Sequence, residues 1–292
     1  MIMNDQTILA CVDQSDHTDS VALAATWAGT QLAVPIELLH VLDRHLETAQ
    51  SDDRSGTLGM DAQEALLANL SKEDASRSKM AREQGRLFLA RLRQQALDAG
   101  VANIDVRQRH GTVAGTLADL APSASMVVMG RRGERTAANA PTRDISRTVA
   151  ELIRTLPCPV MLTPIAFTPP TKVVLAFDGR SAAREAVRTV ANSALLKGLP
   201  IHVVMSGAPS TNADGNKQLR WAQALLQEQG FSVSTAFVPG QAADVIAKQL
   251  SEQGADLLVM GVNTHSPLRQ WLFGSKATDI LRNVDLPTLI IR

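Results

Sequence analysis

The sequence predicts a doubly wound α/β protein built twice, and three observations predict it. An apolar strand ending in Asp stands at Ile8-Leu9-Ala10-Cys11-Val12-Asp13 and again, 165 residues later, at Val173-Val174-Leu175-Ala176-Phe177-Asp178. Val127-Val128-Met129-Gly130 is answered by Leu258-Val259-Met260-Gly261, and Leu156-Pro157-Cys158-Pro159-Val160-Met161-Leu162 by Val284-Asp285-Leu286-Pro287-Thr288-Leu289-Ile290. Within each copy strand patterns alternate with helical ones, which implies parallel strands joined by right-handed crossovers. Whatever such a unit binds can be bound twice, once or not at all, depending on which copy kept its loops.

Taken in order, residues 7–13 read as a buried strand. Residues 19–32 follow as a helix with Val21, Leu23, Ala24, Ala25 and Ala28 at helical spacing, and 35–42 as a second strand. The second copy repeats this as 172–178, 182–197 and 199–205. Between 44 and 100 the copies differ, because the first holds extra residues: 50–59 are polar and read as a loop, while 61–70 and 73–99 read as two helices. The second of these has Phe88, Leu89, Leu92 and Leu97 on one side and Arg and Gln on the other. Third strands at 104–109 and 231–238 are each followed by a glycine, Gly111 or Gly240. Fourth strands fall at 126–129 and 256–260, and fifth strands at 160–163 and 288–292, the last preceded by a helix at 277–283. Pro164, Pro169 and Pro170 around Phe167 mark a linker through which no helix continues. The expected domains are therefore 1–166, with a helical insertion at about 45–84, and 171–292.

At 292 residues, 45% hydrophobic and 20% charged, the chain is long enough for two cores. Lys+Arg and Asp+Glu both total 29; dividing at Phe167 gives 17 basic against 20 acidic residues before it and 12 against 9 after. Net charges of −3 and +3 supply no basic field for nucleic acid, and 3% aromatic content without Tyr supplies few stacking platforms. Cys11 and Cys158 have neither disulfide nor zinc spacing, so no metal site is expected. The first residues lack a basic start followed by an apolar run, and no stretch of eighteen apolar residues occurs; a cytoplasmic protein without membrane association is the expectation.

In a doubly wound sheet, ligands bind beyond the carboxyl ends of the strands, where Asp13, Asp178, Gly130 and Gly261 all fall. In the second copy Gly261 leaves the fourth strand, and Gly274-Ser275-Lys276 opens the next helix. A glycine there lets backbone approach a ligand, Gly-Ser at a helix start presents free N–H groups and a hydroxyl to an anion, and Lys276 adds charge. The same residues also suit an ordinary strand-to-helix loop with a Ser cap.

The spacing G-x2-G-x9-G-S/T after a fourth strand, with Asp closing the first, resembles the universal stress protein family. The whole chain apart from residues 52–83 is similar to the tandem members of that family. The resemblance implies two flavodoxin-like/Rossmann-like doubly wound domains, each with a five-stranded parallel sheet, paired as an internal pseudo-dimer through the final strands. In nucleotide-binding members the first-strand Asp contacts adenine, a residue ending the second strand borders the base, and the glycine loop holds ribose and phosphates. Carried over, this implicates Asp178, Ser206, Gly261, Thr264, Gly274, Ser275 and Lys276 in the second half, with Asp13, Val41, Gly130 and Gly133 as weaker counterparts in the first.

Two departures bear on binding. Thr264 replaces the second glycine of the pattern, and a β-branched residue resists positive φ and close backbone approach. In the first half the Gly-Ser is missing: Arg143-Asp144 stand there, or Ser146-Arg147 if the alignment runs back from the following helix. Either way a large side chain is expected in the phosphate corner. The function implied is regulatory or protective in the stress response and non-catalytic, with ATP or another adenine nucleotide as ligand. Partners implied are the paired domain, a second copy of the chain and an unidentified protein. The alternatives are an interaction scaffold with both pockets blocked and a slow nucleotide hydrolase, although the G-x-x-x-x-G-K-[ST] loop of efficient ATPases is absent.

Other residues invite bland readings. Asp13 and Asp178 lack a companion carboxylate or His at tight spacing, so capping or orienting a base suits them better than metal binding. His265-Ser266 are adjacent and no G-x-S-x-G elbow exists. His40 and His202 read as hydrogen-bonded strand residues and Trp221 as a packing anchor; Trp271 reads as another, with the pocket rim as its alternative.

Overall fold

The computed structural model describes residues 6–42, 60–133, 145–262 and 275–292; for 60–75, 209, 275 and 276 it describes the backbone. The first half runs β1 Thr7–Cys11, α1 Thr18–Leu32, β2 Ile36–Leu42, α2 Met60–Asp98, β3 Ile104–His110, α3 Val113–Leu120, β4 Ala124–Gly130, α4 Arg147–Thr155 and β5 Val160–Thr163. The second runs β6 Val173–Ala176, α5 Ser181–Asn192, β7 Ile201–Gly207, α6 Asn212–Glu228, β8 Val233–Pro239, α7 Ala242–Gln253, β9 Leu257–Gly261, α8 Ser275–Asn283 and β10 Thr288–Ile291.

All ten strands join one sheet in the order β3-β2-β1-β4-β5-β10-β9-β6-β7-β8. Each half is parallel with strand order 3-2-1-4-5, the Rossmann-like arrangement. The halves meet where β5 and β10 pair antiparallel, with Thr288 opposite Leu162, Leu289 opposite Met161 and Ile290 opposite Val160. The two five-stranded sheets are thus continuous edge to edge.

Side chains alternate across the strands and fill two cores, one on each face. Ile8, Ala10 and Val12 join the core under α1, α2, α5 and α6. Leu9 joins the core under α3, α4, α7 and α8. Both cores draw residues from both halves, so each continues across the seam.

Element ends shift by a few residues throughout, and two expected helices differ most. The helices expected at 61–70 and 73–99 are one helix, α2. Ser71 and Lys72 interrupt the apolar pattern, but neither Gly nor Pro stands there to break the backbone. The helix expected to reach 197 stops at Asn192, because Ser193 is extended (ψ 142°) and its Oγ accepts from Leu195 N at 3.1 Å. The loop expected at 50–59 lies outside the described residues.

Candidate functional site

In each half the first and fourth strands lie side by side, and the helices that follow them leave to opposite faces. After β1 the chain enters α1 on one face, and after β4 it enters α4 on the other. The crevice of the switch point opens between them. Cys11 pairs with Met129 and Ala176 with Met260, so Val12 comes level with Gly130 and Phe177 with Gly261, and Asp13 and Asp178 stand one residue beyond them at the two crevice mouths.

In the first half the described residues pack the two strand ends against each other. Asp13 Oδ1 accepts from Ser15 N at 3.2 Å and Ser15 Oγ at 2.5 Å, and Thr18 Oγ1 donates to the Asp13 and Ser15 carbonyls, a turn that launches α1. A Cβ at Gly133 would stand 2.7 Å from Asp13 Oδ2, and one at Gly130 2.6 Å from His17 Cβ. Both glycines therefore let the loop lie against the start of α1. Val41, half-buried, pairs with Arg109 near the end of β2.

Arg131, between those glycines, points into the second half. Fully buried, it donates from Nη1 to Leu281 O at 2.6 Å and from Nη2 to Leu286 O at 3.0 Å and Thr288 Oγ1 at 3.3 Å. Its own carbonyl accepts from Ser146 N at 3.0 Å. Ser146 caps α4 by accepting from Val149 N at 3.2 Å, and Arg147 is the first residue of that helix. Since α4 and α8 are equally long and equally far from their final strands, Arg147 corresponds to Ser275, as in the alignment run back from the helix. Arg143 and Asp144 lie outside the described residues.

In the second half the strand-end Asp is more exposed. Asp178 has a side chain 58% exposed; its Oδ1 accepts from Arg180 N at 2.9 Å, and the Arg180 guanidinium stands 3.8 Å away, a surface pair of little energetic weight. Gly179 has φ +76° with Gln218 Oε1 packed where a Cβ would be. Arg184 braces that turn, donating to Gly179 O at 2.9 Å and Gln218 Oε1 at 3.0 Å while lying 4.5 Å over the Trp221 ring. Phe177 stacks on the same ring at 6.2 Å, so Trp221 is indeed a packing anchor. Ser206, half-buried, sits opposite Val238. At Gly261 an added Cβ would collide with the Ala182 carbonyl, so this glycine admits the first turn of α5. Ser275 and Lys276 open α8, while Thr264, Gly274, His265 and Trp271 lie outside the described residues.

The sequence pattern of the universal stress protein family matches residues 5–164 and again 170–292. The chain belongs to that family. It is similar to the universal stress protein Slr1230 of Synechocystis, 29% identical over 288 residues that cover 98% of this chain and all of that one. In fold it is similar to a universal stress protein from Archaeoglobus fulgidus, with TM-score 0.66, 17% identity, and coverage of 99% and 98% of the two chains. It is also similar to PA1789 of Pseudomonas aeruginosa, with TM-score 0.61, 15% identity, and coverage of 98% and 92%.

The remaining candidates in this universal stress protein are structural. Burial pushes the Cys11 thiol up to about 12, aided by the Asp13 charge, and the Cys158 thiol up to about 11. Neither is a nucleophile at neutral pH. His202 Nδ1 meets Ser234 Oγ at 2.8 Å and Nε2 meets Gln249 Oε1 at 3.0 Å. His40 Nδ1 donates to Val12 O at 2.9 Å and its ring packs 5.2 Å from Phe88. Among the described residues no three His, Cys, Asp or Glu gather as a metal site, and no helix is long and apolar enough to cross a membrane. Sequence reasoning singled out Gly130 and Gly133 but passed over Arg131. Its acceptors are mostly backbone carbonyls about 150 residues away, and a backbone carbonyl has no sequence signal.

Proposed function

We propose that this universal stress protein is a non-catalytic regulator that binds an adenine nucleotide, ATP foremost, in its second half. In this reading the units are residues 1–166 and 171–292, and the protein works in the cytoplasm. The observation that carries it is the contrast between the crevices: Asp13 is folded onto Gly133, whereas the Asp178 carboxylate is open to an adenine amine. Ser206 borders the base, while Gly261 and Thr264 line the ribose. Gly274, Ser275 and Lys276 at the start of α8 receive the phosphates, where unpaired N–H groups and the helix dipole favour an anion. A carboxylate acceptor at one end of the crevice and N–H donors at the other suit a nucleotide.

Calorimetry of the intact chain with ATP and AMP tests the reading. Saturable binding that Gly274→Arg abolishes is expected. No saturable binding leaves the interaction scaffold, and affinity unchanged in Gly274→Arg moves the site elsewhere. Phosphate release above background that Asp178→Ala removes would make the protein a slow hydrolase instead.

A further inference from the structure

We propose that Arg131 is a positioning residue through which the first half sets the phosphate corner of the second. Among the described residues it is the one Lys, Arg, Asp or Glu that is fully buried, a costly placement unless its donors are satisfied. Its two terminal nitrogens are satisfied across the seam. Nη1 holds Leu281 O in the last turn of α8, where a helix has unpaired carbonyls and welcomes positive charge, and Nη2 holds Leu286 O and Thr288 Oγ1 between α8 and β10. From Leu281 back to Ser275 is less than two turns of one helix. On its other side the Arg131 carbonyl takes Ser146 N, the cap of α4. One residue thus ties the N-terminus of the last helix in the first half to the C-terminus of the last helix in the second.

The second half does not return this contact from the matching position. Arg131 N donates to Thr163 O and Val262 N donates to Ile291 O, which makes Val262 the counterpart of Arg131, and Val262 is buried and apolar. The reverse cap comes from Arg292, whose Nη1 lies 3.3 Å from Thr155 O and 3.5 Å from Leu156 O at the end of α4, on the exposed surface. Arg292 therefore provides a control that disturbs the seam without touching α8.

The inference rests on the nucleotide reading of the second half, and the test separates the two. Calorimetry compares ATP with adenosine, which lacks phosphate, for the intact protein and for Arg131→Met, Arg131→Lys and Arg292→Ala; amide exchange of α8 is followed without ligand. In Arg131→Met, ATP affinity should fall roughly tenfold, within the usual range of coupling between sites, while adenosine affinity holds and α8 exchanges faster. Arg131→Lys keeps the charge but not the fork, so it should lie between, and it serves if Arg131→Met does not fold. Arg292→Ala should leave both affinities and α8 exchange unchanged. Equal loss for ATP and adenosine, or unaltered α8 exchange in both Arg131 variants, overturns the proposal. If the unaltered protein binds neither ligand, the nucleotide reading fails, and α8 exchange alone decides whether Arg131 positions that helix.

Discussion

Gly261 shows how one residue can carry a family pattern for a reason other than the ligand. The missing side chain makes room for the Ala182 carbonyl, and backbone cannot rotate away as a side chain can. Gly261→Ala should therefore cost about 1–3 kcal/mol of stability by overpacking, read as a lower urea midpoint with no nucleotide present. A stability equal to that of the unaltered protein would return Gly261 to a purely ligand-facing role. At this scale the sequence reveals which residues stand at strand ends, because Asp and Gly there interrupt apolar runs. It is silent on what fills the space beside them. Asp13 and Asp178 look alike in sequence, yet one folds onto Gly133 and the other faces water.

Among the elements, β7 and α7 are joined by a polar chain that runs from the buried interior to the surface: His202 to Gln249, then Gln249 Nε2 to the exposed Glu252 Oε2 at 2.6 Å. Burial lowers the His202 pKa below its ordinary 6.5, helped by the Lys172 charge and opposed by the Gln249 hydrogen bond. The unfolded chain thus takes up this proton more readily than the folded one. The stability contribution is complete above pH 6.5 and is lost as pH falls through the lower folded value. Chemical denaturation between pH 7.5 and 5 should show a decline that His202→Gln reduces; an identical decline in the variant would assign it to other groups. Helix α2 shows the limit of periodicity at this scale. Its apolar pattern lapses near Ser71, and only the absence of a breaking residue signals that the helix continues.

For the whole molecule, the repeat and its final strands were legible because apolar strands preserve their pattern even where loops diverge. The seam itself sets the behaviour of the parts. Every residue of β5 and β10 is buried, whereas β3, an outer edge of the ten-stranded sheet, carries Asp105, Arg107 and Arg109. Charge on an outer edge discourages pairing with other chains, and a bare apolar edge invites it. Residues 1–168 produced alone should accordingly self-associate, running as a dimer or larger by light scattering. A monomer at tens of micromolar, a concentration typical of association-prone species, would show that β5 does not need β10.

The proline-marked linker between β5 and β6 has a consequence of another kind. Covalent tethering makes the encounter of the two copies intramolecular, at an effective concentration that short linkers raise to about the millimolar range. A unit that must find a twin in solution has to remain complementary to itself, so any change on its contact face appears on both sides at once. A tethered unit always meets the same unlike neighbour. That freedom is what allows an arginine on one side to be matched by Thr288 on the other, and lets one strand-end Asp pack against a glycine while its sibling faces water.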